Sequence, residues 1–398
     1  MAGFNAQRFI DDKTDELRKV VGDEAVLAAV SGGVDSSTAA ALVQRAIGRN
    51  VSSVFIDTGF MRIREPERIV EALSSPPLSL AIEVIKAQRR FLERMKRVPD
   101  AERKRKLFRS IFYDVLAEEA GRRGCGFLVQ GTIAPDWIET RQKIKTQHNV
   151  LSQVGIDPAR RYGFKVLEPL AELYKFQVRE VAKALEMHDE LFRRQPFPGP
   201  GLSVRVVGAI TEKKLQTLKV ADLVVTEHLD SEGCDQYFAA VLDGKFRRDS
   251  MAVKAAAKLT KLLDGRADRF DVSVFTNKAT GIRAGARRYG EILAVSLTSK
   301  NRLVFPPVKE LVEAQRILVD EFSKICHVLV EISRSLAGGR CVAAIRAVQT
   351  KDFMTAQVSE LDAGLLVEAS QKILKECPEI SRVYYDVTPK PPATIEFE

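Results

Sequence analysis

Apolar segments alternate with amphipathic helical patterns over the first half of the chain. The apolar runs, which predict strands, lie at residues 26–30, 52–56, 80–85, 127–131 and 164–170. The helical patterns lie at residues 7–21, from Asp35 onward, and at 66–73, 103–120 and 173–186. The first run, VLAAV, is apolar at every position, as in strands of parallel sheets that are buried on both faces. This alternation predicts an α/β fold, a doubly wound domain with a parallel sheet.

The segment RRQPFPGPGLSVRVVG, at residues 193–208, ends this pattern. Its cluster of prolines and glycines excludes both a helix and a central strand. After it, strands and helices follow in a different order, which predicts a second domain of α+β type. We therefore expect two domains, residues 1–200 and 201–398.

The second domain contains a weak internal repeat. EILAVSLTSKN, from residue 291, resembles CVAAIRAVQTKD, from residue 341, and an amphipathic helix follows each segment. The pattern predicts a duplication in which residues of about 245–340 form the additional copy. Chance similarity between amphipathic helices is the alternative.

Charge and composition limit the classes of partner. A formal charge of +9 and a pI near 9.2 favour an anionic partner or substrate, such as a nucleotide, RNA or an acidic protein subunit. The cysteines are scattered and never form a C-x-x-C pair, which argues against a disulfide framework or a zinc ribbon. No run approaches the roughly 20 apolar residues of a membrane span, so we expect a cytoplasmic protein without membrane contact.

The turn after the first predicted strand has the composition of an anion-binding site. Backbone N–H groups at a helix start attract anions, and Ser-Gly-Gly places such groups in the open. Both glycines are expected to adopt torsions that other residues avoid. The chain has neither a Walker lysine nor a G-x-G-x-x-G segment here, and a Ser-capped helix start is the alternative. The residues predicted to bind phosphate are Ser31, Gly32, Gly33, Val34, Asp35, Ser36 and Ser37.

SGGVDSS resembles the PP-loop of the N-type ATP pyrophosphatases, enzymes that cleave ATP between its α and β phosphates. Other segments resemble the ATP-pyrophosphatase part of GMP synthetase, in the same order, over roughly residues 5–245 and 340–398. PFPGPGL and KPPATIE are specific to that family. The remaining segments are DTGFMR (57–62), KRKLF (104–108), GTIAPDWIET (131–140), KIKTQHNV (143–150) and LEPLAELYKFQVREVAKAL (167–185).

The resemblance implies a carbon–nitrogen ligase. In this family MgATP adenylates O2 of xanthosine 5′-monophosphate (XMP), and ammonia then displaces AMP at C2 to give GMP. ATP is thus the implied co-substrate, and Asp35 the implied ligand of Mg²⁺. The implied source of ammonia is a separate glutamine amidotransferase subunit.

The resemblance also implies the residues of the site. Residues 132–155 are expected to form a lid that excludes water. The implied catalytic residues within it are Asp136, Glu139, Lys145 and His148. The implied XMP-binding residues are Arg105, Phe197, Gly199, Arg287, Lys390, Ile395 and Glu396.

The chain departs from the family pattern at three places. Gln147 and the Leu151–Gln153 segment differ from the usual lid, and Gly285 stands where the family has Asp in a loop that reaches the nucleotide phosphate. Lys86 likewise replaces an expected Asp. Eukaryotic members carry a duplicated dimerisation domain, which the internal repeat resembles. We therefore expect either a homodimer or a pseudo-dimeric monomer.

Two other functions remain open from the sequence. An RNA-modifying PP-loop enzyme of the tRNA-thiolation type would explain the basic charge, but it calls for catalytic cysteines or an RNA-binding module. Neither feature is evident, so nucleic acid is not an expected partner. The other alternative is a nucleotide-binding partner subunit whose altered lid and phosphate loop have impaired catalysis.

Overall fold

The computed structural model describes residues 4–134, 157–188, 195, 197–350 and 354–398. The chain divides into two compact units, Met1–Arg94 with Lys106–Gly199, and Met95–Arg105 with Pro200–Glu398. The segment Met95–Arg105 was expected in the first domain but belongs to the second unit. One reason is that the Arg97 N–H donates a hydrogen bond to the Ile210 carbonyl.

In the described residues of the first unit, five parallel strands form one sheet in the order β3–β2–β1–β4–β5. They are β1 (Ala25–Ala29), β2 (Val51–Asp57), β3 (Ile82–Lys86), β4 (Cys125–Val129) and β5 (Lys165–Leu167). The α/β fold class is thereby confirmed. β5 is shorter than the predicted strand at 164–170, since Pro169 has no N–H for a sheet hydrogen bond.

Helices connect these strands. The bounds are α1 (Ala6–Val21), α2 (Val34–Ile47), α3 (Glu65–Ser74), α4 (Gln88–Met95), α5 (Ala101–Arg123), α6 (Pro158–Tyr162) and α7 (Lys175–Ala184). The Asn5 side chain caps α1 by accepting from the Arg8 N–H, and α1 buries Ile10, Leu17 and Val21 in the core. The alanine-rich α2 is buried along most of its length, which suits a helix packed closely against a sheet.

The second unit contains a mixed sheet of nine strands among its described residues. Their bounds are β6 (Gln236–Asp243), β7 (Phe246–Arg247), β8 (Arg269–Arg283), β9 (Ala286–Ser299), β10 (Arg302–Leu303), β11 (Ile325–Arg334), β12 (Cys341–Gln349), β13 (Gln357–Val358) and β14 (Ile380–Asp386). Its long strands lie in the order β6–β12–β14–β11–β9–β8. The innermost strands are buried along nearly their whole length, as the continuous apolar runs require.

Four helices accompany this sheet in the part of the chain that the structure describes. They are α8 (Glu212–Leu229), α9 (Ser250–Leu262), α10 (Val308–Glu321) and α11 (Ala363–Glu376). Thr211, Asp249 and Asp362 cap α8, α9 and α11 with their side-chain oxygens. Over the described residues of the whole chain, no helix combines the length and apolarity needed to span a membrane.

The second unit shows the same order of elements twice. One set is α8, β6, β12, α11 and β14, and the other is α9, β8, β9, α10 and β11. In each set the two strands after the first helix pair antiparallel, and the last strand pairs parallel to its predecessor. β11 and β14 then pair antiparallel at the centre of the sheet. The second set lies between β6 and β12 of the first along the chain.

Buried polar residues occupy matching positions in the two sets. The registers place Glu331 on β11 where Asp386 stands on β14, and Ser296 on β9 where Arg346 stands on β12. The Ser296 hydroxyl donates to the Glu331 carboxylate, and Arg346 donates to Asp386 at 2.6 Å. Both sets therefore bury a carboxylate at the same place and satisfy it from the neighbouring strand.

Candidate functional site

The topology of the first unit locates a binding site. In open parallel sheets, ligands bind at the carboxyl ends of the strands, where the strand order reverses. Here that point lies between β1 and β4, because the chain runs from β1 to β2 on one side and β4 follows on the other. The predicted phosphate-binding turn, residues 31–37, follows the carboxyl end of β1 directly.

Hydrogen bonds within the turn give it a fixed shape. The Ser31 and Ser36 hydroxyls lie 2.9 Å apart, and Ser36 Oγ also accepts from the Ser31 N–H and donates to the Gly33 carbonyl. Gly32 has φ of +77°. No side chain of the described residues caps the first turn of α2, so its N–H groups remain available to an anion.

Gly131, two residues beyond the end of β4, packs against this turn. A Cβ atom at Gly131 would lie 2.5 Å from the Ser36 nitrogen and 2.6 Å from the Asp35 carbonyl carbon. Both of those atoms belong to the backbone and cannot swing away as a side chain could. Only glycine therefore lets the end of β4 approach the start of α2 this closely.

Asp35 and Lys175 meet beside the turn, and Lys175 is not among the residues predicted from the sequence. Lys175, the first residue of α7, places its Nζ 2.6 Å from Asp35 Oδ2. Asp35 Oδ1 is buried and accepts no hydrogen bond from the described residues. One free carboxylate oxygen suits a Mg²⁺ ion whose other ligands are phosphate oxygens and water. The described residues contain no cluster of metal-binding side chains that would form a site independent of substrate.

Two residues of the turn differ from their expected arrangement. Gly33 has φ of −80° and ψ of 149°, an extended conformation open to other residues, so the prediction of unusual torsions was correct for Gly32 and wrong for Gly33. Ser37 is fully buried and belongs to the buried face of α2. Val34 is also buried, as the first residue of α2.

A second polar group lies at the same edge of the sheet, in the DTGFMR segment. Asp57 ends β2, accepts from the Gly59 N–H at 2.9 Å and accepts from Gln88 Nε2 at 2.6 Å. Gly59 has φ of +77°, and a Cβ atom there would lie 2.9 Å from Gln88 Cβ. The loop after β2 is thus held by Asp57 at the carboxyl edge that carries the turn.

In the second unit three of the predicted residues, Lys390, Ile395 and Glu396, belong to the C-terminal segment, residues 387–398. Lys390 forms two backbone hydrogen bonds with Ala356, and Ala393 forms an isolated bridge with Gly281 of β8. The Thr280 N–H donates to the Phe397 carbonyl at 2.8 Å. The segment is therefore fixed against both sets of elements in the sheet.

Arg346 donates three side-chain hydrogen bonds to backbone carbonyls of this segment. From the interior of the sheet it donates to the carbonyls of Thr388, Thr394 and Ile395 at 2.8–2.9 Å. Burial alone would raise the pKa of Asp386, but Arg346 and then His327 outweigh it, so the pKa lies below its usual value. Arg346 therefore forms an ion pair with Asp386 and hydrogen bonds with the backbone of the C-terminal segment.

Glu396 is held by Arg205 and Gln236. Its carboxylate accepts from Arg205 Nε at 2.8 Å and from Arg205 Nη2 at 3.0 Å, a two-point contact. Gln236 Nε2 lies 3.2 Å from Glu396 Oε1. The Ile395 side chain packs partly buried against the core, while its carbonyl accepts from Arg346.

The structure divides the implied XMP-binding residues between the two units. Phe197 and Gly199 lie in the first unit, where the Arg62 guanidinium stacks over the Phe197 ring at 5.1 Å. Arg105 lies in the second unit. Its Nη1 is 3.7 Å from Glu102 Oε2, and its side chain is mostly buried. Lys390 lines a cavity of about 360 Å³ along the C-terminal segment.

The departure at Gly285 has a local explanation. β8 and β9 form a hairpin in which Arg283 pairs with Ala286, leaving a two-residue turn of Ala284 and Gly285. Both turn residues have positive φ, 48° and 74°, the arrangement that such hairpins prefer and that glycine adopts readily. Arg287 follows this turn on the exposed part of β9.

The catalytic set expected from the lid cannot be placed. Asp136, Glu139, Lys145 and His148 lie outside the described residues, as do Gln147 and the Leu151–Gln153 segment. The first residues of the expected lid, Thr132 and Ile133, are buried at the end of β4.

Several residues now evident at the two sites were missed from the sequence. The clearest of them are charged residues inside apolar segments, and that pattern is a usable signal because a buried charge requires a partner. Lys175 had no such signal, since it lies in a polar helix start. The missed residues are Lys104, Lys175, Arg205, Gln236, Arg346 and Asp386.

Comparison with known proteins gives matches over the full length. The family described as GMP synthase C terminal domain matches residues 337–397. A subunit of the glutamine-hydrolyzing GMP synthase of Saccharolobus solfataricus is 40% identical, with 99% of this chain and 100% of the relative covered. The corresponding subunit of Methanocaldococcus jannaschii is 37% identical with the same coverage.

Among solved structures, NMN synthetase from Francisella tularensis shows a weak likeness. Its TM-score is 0.38 at 17% identity, with 50% of this chain and 78% of the synthetase covered. The fold assignment above rests on the strand order and directions of this chain itself.

We predict that Gly131→Ala weakens ATP binding. The added methyl would press on the backbone of residues 35 and 36, and overpacking of this kind costs about 1–3 kcal/mol. We expect the affinity for MgATP, measured by calorimetry, to fall about tenfold or more, since ~1.4 kcal/mol is a factor of ten.

Gly121→Ala is the matched control, because a Cβ at this helical glycine meets no atom within 4 Å. It should bind MgATP like the unmodified chain. Equal affinity of the Gly131→Ala variant would show that the close approach is not required for binding.

Proposed function

The chain belongs to the family of these glutamine-hydrolyzing GMP synthase subunits, and we propose from this membership that it converts XMP to GMP in an ATP-dependent amination. The observation that carries the proposal is full-length identity of 40% to a named GMP synthase subunit, together with a phosphate-binding turn at the reversal of strand order. In this reaction O2 of XMP attacks the α-phosphorus of ATP and pyrophosphate leaves. Ammonia then attacks C2, and AMP leaves.

The turn of residues 31–37 is proposed to hold the pyrophosphate as it departs. Negative charge accumulates on this group when the bond between the α and β phosphates breaks, and prearranged N–H donors stabilise such charge. Lys175 adds a positive charge beside the turn. The Ser31–Ser36 hydrogen bonds keep the donors in place before the nucleotide arrives, so little ordering is left for the reaction step.

Asp35 is the residue proposed to hold Mg²⁺ through its free Oδ1. A bound Mg²⁺ would neutralise phosphate charge. The salt bridge from Oδ2 to Lys175 keeps the carboxylate oriented, and Lys175 can turn from Asp35 to the phosphates when ATP binds. Asp136, Glu139, Lys145 and His148 remain the proposed catalytic residues of a lid over residues 132–155.

The C-terminal segment is proposed to bind XMP through Lys390, Ile395 and Glu396. Arg346 and Arg205 support this assignment, since both fix the segment from the interior. Arg105 and Arg287 supply positive charge for the nucleotide phosphate, and Phe197 and Gly199 complete the proposed set. Contacts that limit motion before binding reduce the entropy lost on binding.

Ammonia is proposed to come from a separate glutamine amidotransferase subunit, since the relatives are named as one subunit of a glutamine-hydrolyzing synthase. The cytoplasmic location expected from the sequence stays a prediction. The assay below distinguishes the proposed amination from the alternative of an impaired partner subunit.

We further propose that the two sets of elements in the second unit arose by duplication and act as a dimerisation domain within one chain. Support comes from their equal element order, their matching strand directions and the paired positions of Glu331 and Asp386. The antiparallel β11–β14 pair is where two separate subunits would meet in a dimer.

A direct assay tests the activity. The purified chain is incubated with MgATP, XMP and ammonium, and GMP, AMP and pyrophosphate are measured. We expect all three products in equal amounts and only when XMP is present. ATP binding without products would favour an impaired partner subunit, and pyrophosphate release stimulated by tRNA would favour the RNA-modifying alternative.

Lys175→Met should lower the turnover number by about 10²–10³-fold, the usual effect of removing one stabilising group from a developing anion. Lys183→Met, on the exposed last turn of the same helix, is the matched control and should keep full turnover. A Lys175→Met variant with the control's turnover would exclude the proposed role of this amine.

The duplication predicts a monomer in solution. Light scattering coupled to gel filtration should give a mass near the 44.3 kDa of one chain at micromolar concentration. A stable species of twice that mass would contradict the pseudo-dimeric arrangement and favour the homodimer.

A further inference from the structure

A fully buried ion pair lies in the second unit. Lys104 Nζ donates to the Glu398 carboxylate, and the two side chains are 0% and 1% exposed. Lys104 belongs to the first turn of α5, and Glu398 ends the C-terminal segment. The pair therefore joins two regions that are far apart along the chain, at a separation of 294 positions.

A third region is joined by the same two side chains. Lys104 Nζ also donates to the Val206 carbonyl at 2.6 Å, and Glu398 Oε1 accepts from the Gly208 N–H at 2.8 Å. The Glu398 N–H donates to the Val204 carbonyl. Residues 204–208 follow the proline-rich turn, so each polar atom of the pair has a partner in one of three segments.

We propose that the Lys104–Glu398 pair is a positioning contact that sets the geometry of the XMP site. This inference rests on the proposed function. Arg105 directly follows Lys104, and Glu396 lies two residues before Glu398, so both proposed XMP-binding residues are anchored by their neighbours. Neither Lys104 nor Glu398 needs to contact the nucleotide.

The cost of the pair supports a role beyond stability. Burial lowers the pKa of Lys104 and raises that of Glu398, and each partner opposes that shift in the other. A buried pair of this kind is often no more stabilising than apolar residues of equal volume, but removing one partner leaves a costly unpaired charge. An ion pair accepts fewer geometries than an apolar contact, which favours it where a fixed arrangement is required.

A second contact acts on the same helix start. Ala101 is the first residue of α5, and its N–H donates a hydrogen bond to the Tyr289 hydroxyl on β9. Burial raises the pKa of Tyr289 to about 12, so the hydroxyl stays protonated and neutral. The start of α5 is thus fixed from β9 as well as from the C-terminal segment.

The test compares substrate affinities in single variants of the full chain. Lys104→Met and Glu398→Gln should each weaken XMP binding about tenfold or more in calorimetry, while MgATP affinity changes less than twofold. Glu398→Gln keeps the side-chain volume and the acceptor for Gly208, so it reports the ion pair itself even where Lys104→Met fails to fold.

Glu331→Gln is the matched control. Glu331 is also fully buried and accepts from the Ser296 hydroxyl and from Arg334 at 2.7 Å, but it contacts neither α5 nor the C-terminal segment in those bonds. It should lower the melting temperature and leave XMP affinity within twofold.

Four outcomes are distinguished. Wild-type XMP affinity in Glu398→Gln would overturn the inference, and so would an equal loss in Glu331→Gln, because the effect would then be one of general stability. Absence of XMP binding by the unmodified chain would instead overturn the proposed function on which it rests. A selective loss of XMP binding in the pair variants would support the positioning role.

Discussion

The guanidinium of Arg346 is the constraint on which the second unit's candidate site depends. The C-terminal segment after β14 forms no long strand, so a sheet cannot satisfy most of its backbone carbonyls. One planar group with five donors can reach several carbonyls in a fixed geometry, which a lysine ammonium cannot match. Arg346 does this for residues 388, 394 and 395 at once, and Asp386 balances its charge.

The two units fix their ligand-binding segments by different means. In the first unit the fixed elements are backbone groups, and glycine at position 131 admits the close approach of one chain segment to another. In the second unit they are buried charged side chains, Lys104, Arg205 and Arg346, each paired with a carboxylate. Phosphate binding needs many N–H donors at short range, whereas a purine nucleotide needs side chains held at definite positions.

Much of the first unit follows from its sequence. Apolar runs separated by helical periodicity specify a parallel sheet, and a glycine pair after the first run marks its phosphate-binding end. Lys175 could not be found in this way, because its meeting with Asp35 joins residues 140 positions apart. The position of Met95–Arg105 was likewise out of reach, since the local pattern of α4 and α5 is helical in either unit.

In the second unit, apolar segments that contain one charged residue indicate where buried charges lie. LSVRVVG, CVAAIRAVQ and VYYDV each place a charge where burial is certain from its neighbours. Such a charge indicates that a partner exists, but the partner's identity depends on strand order, as the adjacency of β12 and β14 shows.

The two sets of elements differ at the residue that faces their buried carboxylate. Both bury a carboxylate, Asp386 in one set and Glu331 in the other, but the facing residue is Arg346 in the first and Ser296 in the second. After β14 the chain continues into the C-terminal segment, whereas after β11 it runs within a few residues into β12. An arginine is thus present where there is a segment to hold. In the other set the Ser296 hydroxyl donates to the acid from the facing strand, and Arg334, the last residue of β11, donates to it as well. The set that contains β11 has no C-terminal segment of its own. It still contributes to the candidate site, because Gly281 of β8 forms a bridge with Ala393 in the C-terminal segment of the other set. Both sets of one chain therefore hold the C-terminal segment in place.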